Sequence, residues 1–162
     1  MIVKRSFLLT ESIAQEAIGM AYPMFQAAAQ KRQVKRGQLY IVVMDPCLTF
    51  GSGVRFEEAI LAESGWGPAE EKYQQVAFQK AEVSWRTGLP SLLVQQMYPH
   101  LLTHGNTKWG GSWVHQGIVV ACSGVEEYMD QLFSQIIAGT CAALVKRTMR
   151  GIMSNEEVIF MV

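Results

Sequence analysis

Lys80 is the residue whose position in the sequence points most directly to chemistry. It lies in a segment with helical periodicity, on a face shared with the small residues Ala77, Ala81 and Ser84. A lysine on such a face can hold an anion, and its amine becomes reactive if it is desolvated. Alternatively, its aliphatic stem lies along the helix edge and carries the ammonium to solvent. The spacing leaves both interpretations open.

The three histidines are candidate metal or haem ligands. His100 and His104 are four residues apart, so on a helix they would share a face and could hold a metal or serve as an axial ligand to haem iron. His115 lies on or near a predicted strand. Pro99 and Gly105 bracket the first pair, and no carboxylate is close in sequence. This context favours a surface or hydrogen-bonding role for each histidine, and no metal site is predicted.

Aromatic, acidic and basic side chains complete the candidate set. Trp109 and Trp113 flank paired glycines, where they could wall a pocket for a flat ligand or pack a subunit interface. Glu126 and Asp130 could act as acid and base, although the positive end of a helix dipole is sufficient reason for acids there. Arg86 could meet a ligand carboxylate. The sequence holds no nucleophile elbow, phosphate loop or dinucleotide fingerprint.

The first half of the chain predicts a helix and two strands. Thr10 is a plausible N-cap, and Pro23 should kink the following helix or end it early. The β-branched run Leu39–Met44 predicts a strand, and a glycine-rich turn leads to a second strand from about Val54 to just before Gly65. The predicted buried stripe of the first helix is Ile13, Ala17, Met20, Ala21, Met24 and Ala28.

The middle of the chain predicts a second long helix, a hairpin and a central strand. The helix spans about 69–87 and ends at Gly88. Gly110 and Gly111 predict the tight turn of a hairpin, since paired glycines supply the positive φ angles of that turn. Residues 118–122 read as a central strand.

A third long helix closes the predicted domain. Ser123 and Glu126 have the spacing of a capping box at its start, and Gly151 predicts its end. The order of elements indicates one α/β (α+β) domain over residues 1–162, with a mainly antiparallel sheet.

Composition narrows the class of partner. Charged residues are 17% of the chain, below the usual value of about 25%, and the formal net charge is zero. Scarce charge predicts an apolar surface that meets a second subunit, so we expect a homo-oligomer. No long Lys/Arg block occurs, which argues against nucleic-acid binding.

Cysteine content and hydropathy indicate a location. Cys47, Cys122 and Cys141 are odd in number and widely spaced, as expected of reduced thiols in a cytoplasmic protein. The first apolar run is too short for a signal peptide, and no segment approaches the roughly 18 apolar residues of a membrane span. We therefore predict a cytoplasmic protein without a membrane partner.

Two motifs give the sequence a family resemblance. The predicted Lys80 helix runs into a Gly-x-Pro-Ser turn, and the central strand ends in Ser-Gly with an aspartate six residues later. In their order and spacing these motifs resemble the GlcG/HbpS family, often labelled haem-degrading domains, which includes the C-terminal domain of PduO. The residues concerned are Ala77, Lys80, Ala81, Ser84, Gly88, Pro90, Ser91, Ala121, Cys122, Ser123, Gly124 and Asp130.

The resemblance carries expectations about fold and ligand. It implies a profilin-like layout, with about five antiparallel strands flanked by helices, and self-association. Some relatives bind haem, so haem is a candidate cofactor. The chain departs from the family pattern at Pro46-Cys47-Leu48 and across 105–109, both in predicted loops, where ligands are usually met.

These observations support three functional hypotheses. The first is a small-ligand-binding protein that holds haem or a similar flat, partly anionic molecule. The second is an isomerase or lyase acting on a carboxylated or aromatic-derived metabolite, with Lys80 as anion clamp and Asp130 or Glu126 as proton carrier. The third is a non-catalytic accessory subunit. The ligand-binding candidates are Lys80, Arg86, Trp109, Trp113, His104 and His115.

Overall fold

A four-stranded antiparallel sheet forms the centre of the molecule in a computed structural model that describes residues 3–161. Strand β1 (Leu39–Met44) lies between β2 (Ile60–Trp66) and β4 (Ile118–Ser123), and β3 (Ser112–His115) pairs with the other side of β4. The predicted mixed class with an antiparallel sheet is confirmed. The described residues form four strands where about five were expected.

Helices cover both faces of this sheet. The described chain contains α1 (Glu11–Gln30), α2 (Phe56–Ala59), α3 (Glu71–Thr87), α4 (Ser91–Met97) and α5 (Glu127–Met153). Helices α1 and α5 pack together on one face, and α3 packs on the other. The result is a three-layer arrangement in which α3 and α5 lie on opposite sides of the sheet.

The alternation of side chains along β1 builds the two halves of the core. Ile41 and Val43 point toward α1 and α5, whereas Val42 and Met44 point toward α3. A strand buried on both faces reads as a continuous apolar run, since successive side chains point in opposite directions. This is why β1 was predicted with the bounds that the structure has.

The first helix begins as predicted and continues past Pro23. The Thr10 hydroxyl oxygen accepts a hydrogen bond from the backbone N–H of Ile13 at 3.2 Å, which confirms the N-cap. The expectation that Pro23 ends the helix early is wrong, because α1 continues well beyond it. A proline leaves the carbonyl four residues earlier without its partner. Here that residue is the exposed Gly19, whose carbonyl water can reach.

The buried stripe of α1 differs from the predicted one. Met20 and Met24 are 59% and 42% exposed, whereas Ile18 and Phe25 are almost completely buried. The alanine positions are common to both stripes, so they do not fix the direction in which the helix turns its larger side chains. The aromatic ring of Phe25 packs against Trp66 at 5.1 Å between centroids, which fixes that direction.

The second strand starts later than predicted because a short helix precedes it. The Glu58 carboxylate accepts a hydrogen bond from the backbone N–H of Arg55 at 2.8 Å and stabilises the first turn of α2. Residues 56–59 are therefore helical, and β2 begins at Ile60 and continues through Gly65.

The predicted hairpin at Gly110 and Gly111 is wrong. The tight turn lies between β3 and β4 at Gln116 and Gly117, whose φ angles are 51° and 82°. Two consecutive positive φ angles are those of the primed turn that the paired glycines had suggested. Gly110 and Gly111 instead lie in the segment that leads into β3, where the absence of a side chain leaves space for neighbouring groups.

The predicted capping box of the last helix is also wrong. Ser123 is the final residue of β4, and Glu126 occupies the N-cap position without a side-chain cap. The Glu126 carboxylate instead accepts the backbone N–H of Lys35 at 3.1 Å. The helix continues through Gly151, where a stop was expected, so an internal glycine is tolerated there at a cost of about 1 kcal/mol.

The three cysteines are unpaired thiols, as expected. Cys47 is exposed, and Cys122 and Cys141 are buried in the core. Burial raises the pKa of each buried thiol to about 12, so neither forms a reactive thiolate near neutral pH. Within residues 3–161, no helix has both the length and the apolar content needed to cross a membrane.

Candidate functional site

A pocket of about 530 Å³ lies between the first half of α3, the start of α5 and the loop before β1. This volume is in the range of small-molecule sites. Three aromatic side chains line it: Tyr73 from α3, Trp109 from the segment before β3, and Tyr128 from α5. The walls are therefore largely apolar and offer flat surfaces to a ligand.

A buried ion pair forms the floor of the pocket. The Lys80 ammonium lies 2.7 Å from the Asp130 carboxylate, and the two side chains are only 1% and 2% exposed. The ammonium also donates to the backbone carbonyl of Cys122 at 3.0 Å. A lysine has three donor hydrogens. Two are used here, and no acceptor in residues 3–161 takes the third.

Gly111 makes this pair possible. Lys80 belongs to α3 and Asp130 to α5, so the ammonium must pass the end of the sheet to reach the carboxylate. A Cβ atom at Gly111 would lie 2.7 Å from the Lys80 Nζ and 2.8 Å from the Asp130 Cβ. Its φ of 140° also favours glycine. The passage exists because this position has no side chain.

Burial makes Asp130 an unusual carboxyl group. Loss of solvent raises its pKa to about 6, although the Lys80 ammonium and hydrogen bonds from the backbone of Val125 and Gly124 oppose that shift. One of these bonds joins the Val125 N–H to Asp130 Oδ1 at 3.1 Å. A carboxyl group with this pKa exchanges protons near neutral pH.

The rim of the pocket carries three basic side chains. The ammonium of Lys72 pairs with Glu70 at 3.4 Å, but among residues 3–161 no carboxylate forms an ion pair with Lys35 or Arg36. The Arg36 guanidinium lies 5.6 Å from the centre of the Tyr73 ring. Two cations at the mouth are therefore free to meet an anion.

The two glutamates of the pocket are occupied by backbone groups. Glu126 accepts the N–H of Lys35 at 3.1 Å, and Glu127 accepts the N–H of Gly110 at 3.0 Å. These bonds fix the loop before β1 and the entry to β3 against the first turn of α5. The glutamates thus hold the walls in place.

A network of buried serines supports the entry to β3. The hydroxyls of Ser84 and Ser112 are 2.6 Å apart, and Ser91 and Ser112 exchange two backbone-to-hydroxyl bonds at 3.1 and 3.2 Å. The Ser134 hydroxyl donates to the Gly111 carbonyl at 2.6 Å. These bonds anchor Gly111 from α3, α4 and α5, so the floor of the pocket is held from both faces of the sheet.

The structure brings together four of the residues singled out in the sequence. Lys80, Trp109, Glu126 and Asp130 all line the pocket, although they come from three separate segments. Trp109 is 51% exposed and stands at the mouth. Lys80 does not carry its ammonium to solvent, so the edge-of-helix interpretation is wrong.

Arg86 and Trp113 lie outside the pocket. Arg86 forms an ion pair with Glu82 at 3.1 Å and donates to the carbonyl of Leu101 at 2.8 Å, which ties α3 to the loop after α4. Trp113 points to the other face of β3 and packs against the core beneath α1 and α5. Both residues have structural partners.

The histidines do not converge on the pocket. His100 lies in a single 3₁₀ turn and His104 in the loop after it, both exposed, so the shared helical face expected of them does not form. His115 ends β3 beside the hairpin turn. All three lie in the described part of the chain, and none lines the pocket. Residues 3–161 contain no cluster of three or more His, Cys, Asp or Glu side chains suited to a metal ion.

Sequence reasoning missed the pairing of Lys80 with Asp130 and the role of the basic rim. A signal for the pair was present, since Lys80 lies among small residues and Asp130 lies one turn before the buried Phe133. A charge on a buried face needs a partner. The sequence offered no comparable signal for Lys35 and Arg36, whose position depends on how the chain leaves α1.

Comparison with models of protein families and with curated proteins finds no match to this chain. The resemblance to the GlcG/HbpS family therefore stays a prediction. Function is inferred from the shape, charge and contacts of the pocket.

Proposed function

We propose that this chain is a small-ligand-binding protein of the GlcG/HbpS type, whose pocket takes a flat organic anion. The observation that carries the proposal is the combination, in one cavity, of aromatic walls, two basic side chains without acidic partners and an ammonium with an unused hydrogen. Together these features suit an apolar body that bears an acid group.

The walls favour a flat body. Tyr73, Trp109 and Tyr128 face the cavity, and aromatic rings gain most from ligands that can stack on them or meet their edges. Val76 and Val125 add aliphatic surface. A small aromatic or conjugated ring system has the shape and polarity for this cavity.

The charges favour an anion. Arg36 and Lys35 have no ion-pair partner among the described residues, so their positive charge attracts an anion to the mouth of the pocket. A ligand that displaces water from these two cations would offset the cost of desolvation with its own negative charge. Glu126 and Glu127 already accept backbone hydrogen bonds, so they compete less for these cations.

Haem is one flat acid that the family resemblance suggests. Its iron is most often held by an axial histidine, cysteine, methionine or tyrosine. The pocket offers tyrosine but no histidine, because His100, His104 and His115 lie elsewhere. Its residues therefore fit a flat organic acid better than a histidine-ligated haem.

Titration of the purified protein with benzoate, benzamide, benzylamine and hemin tests the proposal. We expect the intrinsic tryptophan fluorescence, to which Trp109 at the mouth contributes, to report saturable binding of benzoate, weaker binding of neutral benzamide, and none of cationic benzylamine. A Soret shift with hemin would place haem in the same class of ligand. Binding of benzylamine as tightly as benzoate, or of no probe at all, contradicts the proposal.

Two variants make the test specific to the pocket. Arg36→Ala should weaken benzoate binding severalfold, because it removes a cation whose positive potential draws the anion into the pocket. Lys146→Ala, which removes an exposed cation near the other end of α5, serves as the matched control and should leave the affinity unchanged. Equal losses in both variants would indicate non-specific charge attraction.

The state of Asp130 supports a second candidate function. A carboxyl group whose pKa is about 6, next to an ammonium, can move protons to and from a bound carbonyl compound, as an isomerase or lyase requires. Incubation with a panel of small keto and enol acids in deuterated water would reveal such proton exchange by NMR. Exchange that persists in Asp130→Asn would contradict this candidate. A stable protein complex without ligand binding would instead favour an accessory subunit.

A further inference from the structure

We propose that the ligand presents its carboxylate to Lys80 at the floor of the pocket, and that Asp130 takes up one proton as the ligand binds. This inference rests on the proposed function, because it requires an anion to enter the pocket. The bound ligand would then point its acid inward and its apolar body toward the aromatic mouth.

The Lys80 ammonium has one unused hydrogen. Its ammonium donates to Asp130 and to the carbonyl of Cys122, which leaves one donor hydrogen without an acceptor in residues 3–161. Lys80 lines the cavity, so an oxygen of a bound molecule can accept that hydrogen. A buried donor gains most when its partner is charged.

An oxygen bound to this ammonium would lie beside the Asp130 carboxylate. Asp130 Oδ2 is 2.7 Å from the same nitrogen, so the ligand carboxylate and the Asp130 carboxylate would share one ammonium. Two carboxylates in a nearly dry site cannot both stay ionised without a large energetic cost, and such pairs hold a proton between them. One excess negative charge is removed when one proton is bound.

The proton is taken up by Asp130. It comes from solvent and bonds to an Asp130 oxygen, whose O–H then donates to the ligand carboxylate. Oδ1 keeps the hydrogen bond from the Val125 N–H. The floor then contains one ammonium, one carboxylate and one neutral carboxyl group, so the charges balance. Asp130 is the natural acceptor because it lies beside Lys80 and burial has already raised its pKa to about 6.

Other groups near the site do not take up this proton in place of Asp130. Glu126 and Glu127 are fixed by backbone N–H donors nearer the rim, and the Cys122 thiol has a pKa raised to about 12 by burial. The charged and titratable groups that surround Asp130 are Lys80, Lys72 and Tyr73 on α3, Cys122 on β4, Glu126, Glu127 and Tyr128 on α5, and Lys35 and Arg36 before β1.

Calorimetric titration with benzoate tests the inference. The measurement is made between about pH 6 and pH 8 in buffers of different ionisation enthalpy, which gives the number of protons taken up. We expect uptake to approach one proton per benzoate at the upper end. The affinity should there weaken by close to tenfold per pH unit, as linkage to one proton requires. Benzamide should bind without proton uptake.

Two variants separate Asp130 from the rim. Asp130→Asn mimics the neutral carboxyl group, so it should bind benzoate with little pH dependence and more tightly than the wild type near pH 8. Glu126→Gln, which also lines the pocket, should keep the wild-type pH dependence.

The outcomes distinguish this inference from the proposed function. If benzoate binds with the same affinity throughout the range and without proton uptake, the inference is wrong while the binding proposal stands. Equal uptake with benzamide would also overturn it, as would loss of the pH dependence in Glu126→Gln. If benzoate fails to bind at every pH, the proposed function itself falls. The proton count uses wild-type protein, so it decides the matter even if a variant does not fold.

Discussion

At the scale of single residues, Lys80 and Asp130 dominate the energetics of the pocket. Two charges that are 1% and 2% exposed have lost nearly all their water, and their mutual attraction repays this only in good geometry. Removing one partner of such a pair typically costs about 3–5 kcal/mol, because the other charge stays buried. The Val125 N–H donates to Asp130, and Lys80 donates to the Cys122 carbonyl, which adds one further partner to each charge.

The state of Asp130 makes the stability of the protein depend on pH in a defined direction. Burial raises its pKa from 3.8 to about 6, so between these values the folded protein holds a proton that the unfolded chain releases. The stabilising contribution of this group is therefore fully present below about pH 4 and is lost as the pH rises through about 6. We expect the free energy of unfolding of wild type, relative to Asp130→Asn, to increase as the pH falls from 7 to 4.

Urea denaturation of both proteins across this range measures the difference. Asparagine does not titrate, so subtraction removes the contributions of all other acids, provided the variant leaves their surroundings unchanged. A difference that stays constant with pH, or grows as the pH rises, contradicts the assignment.

At the scale of elements, sequence patterns succeeded where a periodic apolar run decides the structure. Strand β1 has its predicted bounds, and α3 ends at Gly88 as expected, because that glycine adopts the left-handed conformation with a φ of 73°. Patterns failed at junctions that depend on distant partners. Ser123 and Glu126 have capping-box spacing, but Ser123 pairs with Tyr40 of β1 in the sheet, and that pairing outweighs the cap.

The candidate site was only partly predictable for the same reason. Lys80, Trp109, Glu126 and Asp130 were singled out by residue type and local context, and they do share a pocket. Their convergence depends on long-range contacts that leave no local mark. The paired glycines illustrate this, because their composition suggested a turn, whereas Gly111 is needed for the space beside Lys80.

The entry to β3 gives a prediction for this element. Gly111→Ala would place a methyl group against the Lys80 ammonium and the Asp130 side chain, and would also strain a φ of 140°. We expect a loss of about 2–4 kcal/mol in the free energy of unfolding, in the range of other buried clashes and backbone strain. Benzoate binding should weaken as well, because the floor is displaced.

Gly139→Ala is the matched control for that substitution. Gly139 lies within α5, and a Cβ atom there meets nothing within 4 Å. Alanine is favoured over glycine inside a helix by roughly 1 kcal/mol, so this variant should be as stable as the wild type or more so. Chemical denaturation of both variants decides the matter, and a neutral effect at Gly111 would show that the ion pair tolerates displacement.

At the scale of the whole molecule, the three layers explain why the pocket can be both rigid and open. Helices α3 and α5 lie on opposite faces of the sheet, and the Lys80–Asp130 pair joins them around its end. The serine network joins the same two layers behind the pocket. The floor is thereby fixed from both sides, while the mouth is formed by Trp109 and a loop, which leaves room for a ligand to enter.

The surface of the molecule supports the expectation that it self-associates. Only 17% of residues are charged, and α1 turns two large apolar side chains outward, Met20 at 59% and Met24 at 42% exposure. When a second surface covers the apolar groups on one helix face, the association is stabilised by about 25 cal/mol for each Å² of apolar area removed from water. We therefore expect a particle larger than the 18.1 kDa monomer in light scattering coupled to size exclusion.

Lysine substitutions on α1 locate the contact. Met20→Lys with Met24→Lys should shift the particle toward the monomer mass, because burying two new charges in an interface is costly. Lysine substitution at the exposed Gln75 of α3, on the other side of the sheet, is the control and should leave the mass unchanged. A monomeric wild type at high protein concentration would show that scarce surface charge does not by itself imply a partner. Because α1 and the pocket mouth are built from separate surfaces, benzoate binding should survive in the monomeric variant.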